Sequence, residues 1–62
     1  MYLLKLTRAN YDSEIVYVNP KYIISITRHT ANVTEVMVYP AAHPMLVTEK
    51  VEDIIFNLRS NA

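Results

Sequence analysis

Side chains that could perform catalysis or bind a metal are few in this sequence, and their spacing does not bring them together. The two histidines, His29 and His43, stand apart in polar segments without any cysteine, so they predict solvated surface groups and not a metal site. Glu52 and Asp53 are adjacent on a predicted helix, where neighbouring side chains point in different directions. Glycine is absent, which excludes phosphate loops and the nucleophile elbow. The sequence therefore predicts a protein that is not an enzyme and has no cofactor or metal.

A second pattern combines aromatic and basic residues, and its chemistry would be nucleic-acid binding. Single strands stack their bases on aromatic side chains along a basic groove. The chain has five tyrosines, and several basic residues share its strand-like segments. The candidate set for one sheet face is Lys5, Arg8, Tyr17, Lys21, Tyr22 and Arg28. Because a net charge of zero disfavours tight binding to phosphates, nucleic-acid binding is only an alternative interpretation.

The length of the chain limits the core that can hold such residues in place. Sixty-two residues predict a single domain over 1–62, with a core too small to give much stability. Small proteins often add disulfides, a metal or a partner, and the absence of cysteine removes the first of these. No apolar run is long enough to cross a membrane, and no signal peptide is visible at the N-terminus. We therefore expect a cytoplasmic protein without membrane insertion that gains stability by association.

Alternating apolar residues predict short strands through most of the chain. Leu4 and Leu6 should share one face of the first strand, Ile24 and Ile26 one face of the third, and Val36 and Val38 one face of the fourth. The predicted strands cover 2–8, 14–18, 23–29, 33–39 and, less regularly, 45–47. The fold class predicted from this pattern is α+β, a small antiparallel β-meander of four to five strands with one C-terminal α-helix.

Turns in this chain must form without glycine, the residue that most readily takes positive φ. We expect the turn at 9–13 to depend on Asn and Asp, which tolerate turn geometry through local hydrogen bonds. Pro20 should end the second strand in one helical turn, and 30–32 should form a short turn. The "PAAHP" segment, 40–44, predicts an open loop that places 45–47 at a sheet edge before the helix.

The clearest helical pattern covers 49–60. Val51, Ile54, Ile55 and Leu58 are spaced to form one apolar stripe. Thr48 is the predicted N-cap, and the acidic residues that follow it, Glu49 included, suit the positive end of the helix dipole.

Apolar residues occupy both faces of several predicted strands, although one short helix can cover only one face of a small sheet. Exposed apolar surface of this kind is typical of an interface. We assign the interface to Met37, Tyr39, Met45 and Phe56. The predicted function is a non-catalytic protein-interaction module or adaptor that forms a homo-dimer or higher homo-oligomer, or that binds a larger protein partner.

Three segments carry a resemblance to a known family. "KLTR" at 5–8, "YVNPKYIISI" at 17–26 and "LVTEKVEDIIFNL" at 46–58 are similar to the FlbD-like family of small flagellar-operon proteins. The resemblance covers most of the chain and consists mainly of apolar spacing. It implies a bacterial cytoplasmic accessory protein without catalysis, and it supplies no functional residues. A phage or mobile-element accessory protein that binds a host protein is the further alternative.

Overall fold

The computed structural model describes residues 2–10, 12–40 and 43–61, and over these residues the chain forms five antiparallel strands followed by one α-helix. This architecture confirms the predicted α+β class. A single 3-10 turn at Pro20–Tyr22 confirms the helical turn expected at Pro20. The elements are β1 (Leu4–Thr7), β2 (Ile15–Val18), β3 (Ile23–Thr30), β4 (Val33–Val38), β5 (Met45–Val47) and α1 (Val51–Ser60).

Strands β1 and β2 form a hairpin in which Leu4 pairs with Val18 and Thr7 with Ile15. Asp12 and Ser13 in the connecting turn have positive φ angles of 52° and 59°. Asp adopts this conformation more readily than most residues, which explains how the chain turns here without glycine. The expectation of an Asp-based turn is confirmed at Asp12, whereas the second positive φ falls on Ser13. Tyr11 lies outside the described residues, as do Ala41 and Ala42 of the "PAAHP" loop.

Strands β3, β4 and β5 form a second antiparallel sheet, and a bulge changes which residues of β3 face the core. Ile23 pairs with Val38, but Ser25 pairs with the next residue, Met37, so Ile24 is an extra residue without a partner. Ile23 and Ile26 pack against the core, whereas Ile24 is exposed. The prediction that Ile24 and Ile26 share a face is therefore wrong, because the bulge reverses the alternation between them.

The two sheets are joined at the end of β1. Arg8 forms an isolated bridge with Val47, the Ala9 N–H donates to the Leu46 carbonyl at 2.8 Å, and the Thr48 N–H donates to the Thr7 carbonyl at 2.9 Å. The strand β5 thus has neighbours on both sides, β4 and the end of β1. The prediction that 45–47 would lie at a sheet edge holds for the three-stranded sheet, in which β5 is the last strand, but the end of β1 covers that edge. Strands β2 and β3 are the outer ones.

The core lies where both sheets meet the helix. Its buried apolar members come from four strands and the helix, and they are Leu4, Leu6, Val18, Val36, Val47 and Ile54. The predicted shared faces of Leu4 with Leu6 and of Val36 with Val38 are confirmed, since Val38 also packs against this core. Thr34 is the buried polar residue among those described, and its hydroxyl donates to the Glu49 carbonyl oxygen at 2.6 Å. This contact fixes the segment before α1 against β4.

Helix α1 begins at Val51, two residues later than the predicted start at 49. Lys50 is the N-cap, without a side-chain capping bond, so the assignment of Thr48 is wrong. Glu49 also lies outside the helix, because its carboxylate accepts hydrogen bonds from the Thr7 N–H and hydroxyl. Of the predicted stripe, Ile54 is fully buried and Leu58 packs against the core, while Ile55 is 38% exposed. The helix therefore covers the core with a narrower stripe than the spacing predicts.

Candidate interaction surfaces

A groove opens between strand β2 and the sheet that contains β4 and β5. It has a volume of about 470 Å³. Four aliphatic side chains that line it also contact the core, namely Val16, Val18, Val38 and Met45. The groove forms because β2 pairs with β1 alone, which leaves its inward-facing residues beside an open space.

Polar and aromatic residues also line this groove. They include Arg8, Tyr17, Tyr22 and His43. An Arg8 guanidinium nitrogen lies 3.8 Å from a Glu14 carboxylate oxygen, so a carboxylate accompanies the positive charge at this place. The groove can hold an apolar segment with a few polar atoms.

The six residues predicted to bind nucleic acid are only partly brought together. Three of them line the groove, and Lys5 is the cross-strand partner of Tyr17 on the outer face of the hairpin. Lys21 is exposed on the 3-10 turn. Arg28 lies elsewhere, beside the start of α1, where it forms an ion pair of 2.5 Å with Glu52. A continuous basic face therefore does not result from this arrangement of the described residues.

The four residues predicted to form an interface fall on different surfaces. Met37 is half-buried, and its cross-strand partner is Ser25, on the face of the sheet away from the core. Met45 pairs with the buried Val36 and lines the groove. Tyr39 and Phe56 are 63% and 69% exposed, at the end of β4 and on the helix. The structure thus places Met45 on the opposite face of the sheet from Met37.

The outer edge of β2 is a feature that the sequence reasoning missed. The Arg8 N–H donates to the Glu14 carbonyl at 2.8 Å. Because hydrogen-bonded and non-hydrogen-bonded residue pairs alternate along antiparallel strands, the hydrogen-bonded pairs of this hairpin are those between even-numbered residues. The N–H and C=O groups of Ile15 and Tyr17 consequently point away from β1. No backbone bond from elsewhere in the described residues reaches them. The sequence signal was present, since "IVYV" contains neither proline nor charge.

The other outer strand, β3, is irregular along its length. Bulges occur at Ile24 and at His29, and Arg28 carries a charge between them. Bulges and charges both hinder strand pairing along an edge. Of the two outer strands, β2 is the one that offers a regular, uncharged edge.

The remaining surfaces of the described residues contain one small charged pocket and no group of side chains suited to bind a metal ion. A second pocket of about 200 Å³ lies between the β3–β4 turn and the start of α1, and its charged lining residues are Arg28, Lys50 and Glu52. Residues 2–10, 12–40 and 43–61 contain no group of three His, Asp or Glu side chains that could hold a metal ion. In the same part of the chain, no helix is long and apolar enough to span a membrane.

Comparison with known proteins gives no relative for this chain: no protein-family model, curated protein or solved structure matches it significantly. The resemblance to the FlbD-like family therefore stays a prediction.

Proposed function

We propose that this chain is a non-catalytic protein-interaction module that associates with itself. The observation that carries the proposal is the amount of apolar surface left exposed around a small core. Among the described residues, six apolar side chains are buried, five of them fully, whereas eight large apolar ones are exposed. The exposed set is Leu3, Ile15, Tyr17, Tyr22, Ile24, Tyr39, Ile55 and Phe56. Ile15 and Tyr17 adjoin on the outer face of the hairpin, and contiguous exposed apolar residues are typical of surfaces that bind other proteins.

The size of the domain gives a physical reason for association. At about 0.05–0.15 kcal/mol per residue, a chain of 62 residues is stable by roughly 3–9 kcal/mol. Removing a few hundred Å² of apolar surface from water contributes ~25 cal/mol per Å², which is several kcal/mol. Association can thus supply free energy comparable to the whole stability of the isolated chain. A two-fold dimer is the commonest closed arrangement.

The mass in solution tests this proposal. Sedimentation equilibrium from micromolar to near-millimolar concentration should give about twice the 7.2 kDa chain mass, or a larger multiple, at the upper end. The Asn32→Ser variant changes an exposed residue in the turn between β3 and β4, outside the exposed apolar set, and should behave like the wild type. A folded monomer of 7.2 kDa at every concentration would contradict self-association.

Nucleic-acid binding is the second candidate, favoured by the groove that gathers Arg8, Tyr17 and Tyr22. Stacking between a base and these rings would use the aromatic chemistry of single-strand binders. The candidate has weaker support than self-association, because Glu14 accompanies Arg8 and Glu52 is paired with Arg28. The net charge of zero also disfavours tight binding to nucleic-acid phosphates.

The cellular setting belongs to the same proposal. A bacterial or phage accessory protein in the cytoplasm, acting through contacts with its own copies or with a larger protein, agrees with the exposed apolar surface. A host or operon partner would use the same exposed residues as a second copy.

A further inference from the structure

We infer that two copies of this chain pair through the outer edges of their β2 strands, antiparallel and around a two-fold axis at Val16. The inference rests on the proposed self-association and names its surface. The result would be a continuous sheet in which the strands run β1–β2 from one copy and β2–β1 from the other.

The backbone of β2 is in the correct phase for this pairing. Ile15 and Tyr17 direct their N–H and C=O groups away from β1, because the even-numbered residues make the bonds within the hairpin. A two-fold axis at Val16 places Ile15 of one copy opposite Tyr17 of the other. Each such pair then exchanges both of its hydrogen bonds across the interface. The available groups are thus satisfied by a second copy of the same short segment.

The side chains match in the same register. Ile15 and Tyr17 lie on the outer face of the hairpin, where they are 48% and 60% exposed, and each would pack across the interface on the other. Pairs of an aromatic and a β-branched residue stabilise antiparallel strands. On the inner face, Val16 would meet Val16 of the second copy beside the groove that it lines.

The charges around this edge are also complementary. No charged residue lies within β2, while Asp12 and Glu14 precede it and Lys21 follows it. Antiparallel pairing brings the acidic end of β2 in one copy beside the end that leads to Lys21 in the other. Like charges are therefore kept apart in this register.

The length of the edge favours a second copy over a long peptide. The positive-φ turn at Asp12 and Ser13 precedes β2, and Pro20 follows it. Four residues of extended edge pair completely with the same four residues of another copy, whereas a longer strand would gain no more backbone bonds. Strand β3 does not compete, since its bulges interrupt the edge.

Amide hydrogen exchange of the wild-type protein tests the inference without any variant. The N–H groups of Ile15 and Tyr17 should exchange rapidly in dilute solution and become protected as the concentration rises. The N–H of Leu6, a buried residue that pairs with Val16 inside the hairpin, serves as the reference, and its protection should change much less. Concentration-independent rapid exchange at Ile15 and Tyr17 in a sample whose mass is that of a dimer would overturn the inference and leave self-association intact.

Proline substitution gives the second test. Tyr17→Pro removes an N–H that points to the outer edge and takes no part in the β1–β2 bonds. The dimer dissociation constant should rise on the order of 100-fold, since each dimer loses two interface hydrogen bonds and the tyrosine contacts. Tyr17→Thr keeps the N–H and should weaken the dimer about 10-fold or less.

Three outcomes separate the hypotheses. A Tyr17→Pro protein that is folded by circular dichroism and dimerises like the wild type refutes pairing through β2. A wild-type protein that is monomeric at all concentrations refutes both this inference and the proposed self-association. Protection of Ile15 and Tyr17 that appears only when a different protein is added would assign the edge to another partner and overturn the inference.

Discussion

The Glu49 carboxylate joins two parts of the chain that are distant in sequence, and its removal should destabilise the fold. One oxygen accepts from the Thr7 N–H at 2.9 Å, and the other accepts from the same N–H at 3.1 Å and from the Thr7 hydroxyl at 2.9 Å. The two residues are 42 positions apart. Glu49→Ala therefore removes the acceptor that holds the end of β1 to the segment before α1.

The expected size of the effect follows from these contacts. A hydrogen bond to a charged group contributes about 1.5–3 kcal/mol, and Glu49 accepts from two donors, the N–H and the hydroxyl. Because the site is only partly buried, we expect a loss of ~2–3 kcal/mol in the free energy of unfolding. For a domain of this size, the midpoint of thermal unfolding should fall by roughly 8–24 °C. Glu49→Gln keeps one acceptor oxygen and should cost about half as much.

Thermal unfolding followed by circular dichroism measures this change, with all variants at one protein concentration because association adds to stability. Glu52→Ala is the matched control. Glu52 is also acidic and paired, with Arg28, but both side chains are more than half exposed. Such surface pairs contribute ~0–1 kcal/mol. Equal midpoints for Glu49→Ala and Glu52→Ala would refute the reasoning that Glu49 joins the two segments.

The other predictions concern the core and the second candidate function. Ile54→Ala should lower the free energy of unfolding by about 2–5 kcal/mol in urea titrations, because Ile54 is 1% exposed. Phe56→Ala, at an exposed helix position, should change the monomer by about 0.5 kcal/mol or less, and a large loss there would contradict the assigned burial. Thr34→Val should cost ~1–2 kcal/mol by leaving the Glu49 carbonyl without its donor. In fluorescence anisotropy, labelled oligonucleotides should not bind at low salt; binding that weakens with salt, with a slope reduced by about one in Arg8→Ala, would favour the nucleic-acid candidate.

Local patterns in the sequence predicted most of the elements correctly. Leu4 and Leu6 alternate with polar positions and are buried, and Val36 likewise faces the core. Ile54 lies at the centre of the apolar stripe of α1. These predictions succeed because the side-chain period of a strand or helix is a property of a few consecutive residues. The absence of glycine likewise predicted an Asp-based turn, which the φ angle of Asp12 confirms.

Contacts between distant segments decided what local patterns could not. The bulge at Ile24 depends on how β3 aligns with β4, and it turns that isoleucine outward against its own alternation. Residues 45–47 form the last strand of their sheet, as predicted, but nothing in their sequence shows that the end of β1 covers that edge. The sequence placed Glu49 at the start of the helix, because nothing local shows that its carboxylate binds Thr7, 42 positions away.

The sequence by itself determined the strands, the helix, the small size of the core and the surplus of apolar residues. Only the tertiary structure decided where that surplus lies and which backbone groups are left for a partner. The outer edge of β2 illustrates the difference, because "IVYV" predicts a strand in any arrangement. Whether a strand is central or at an edge depends on which other strands lie beside it. That order is set by long-range packing of Leu4, Leu6, Val47 and Ile54 in one core.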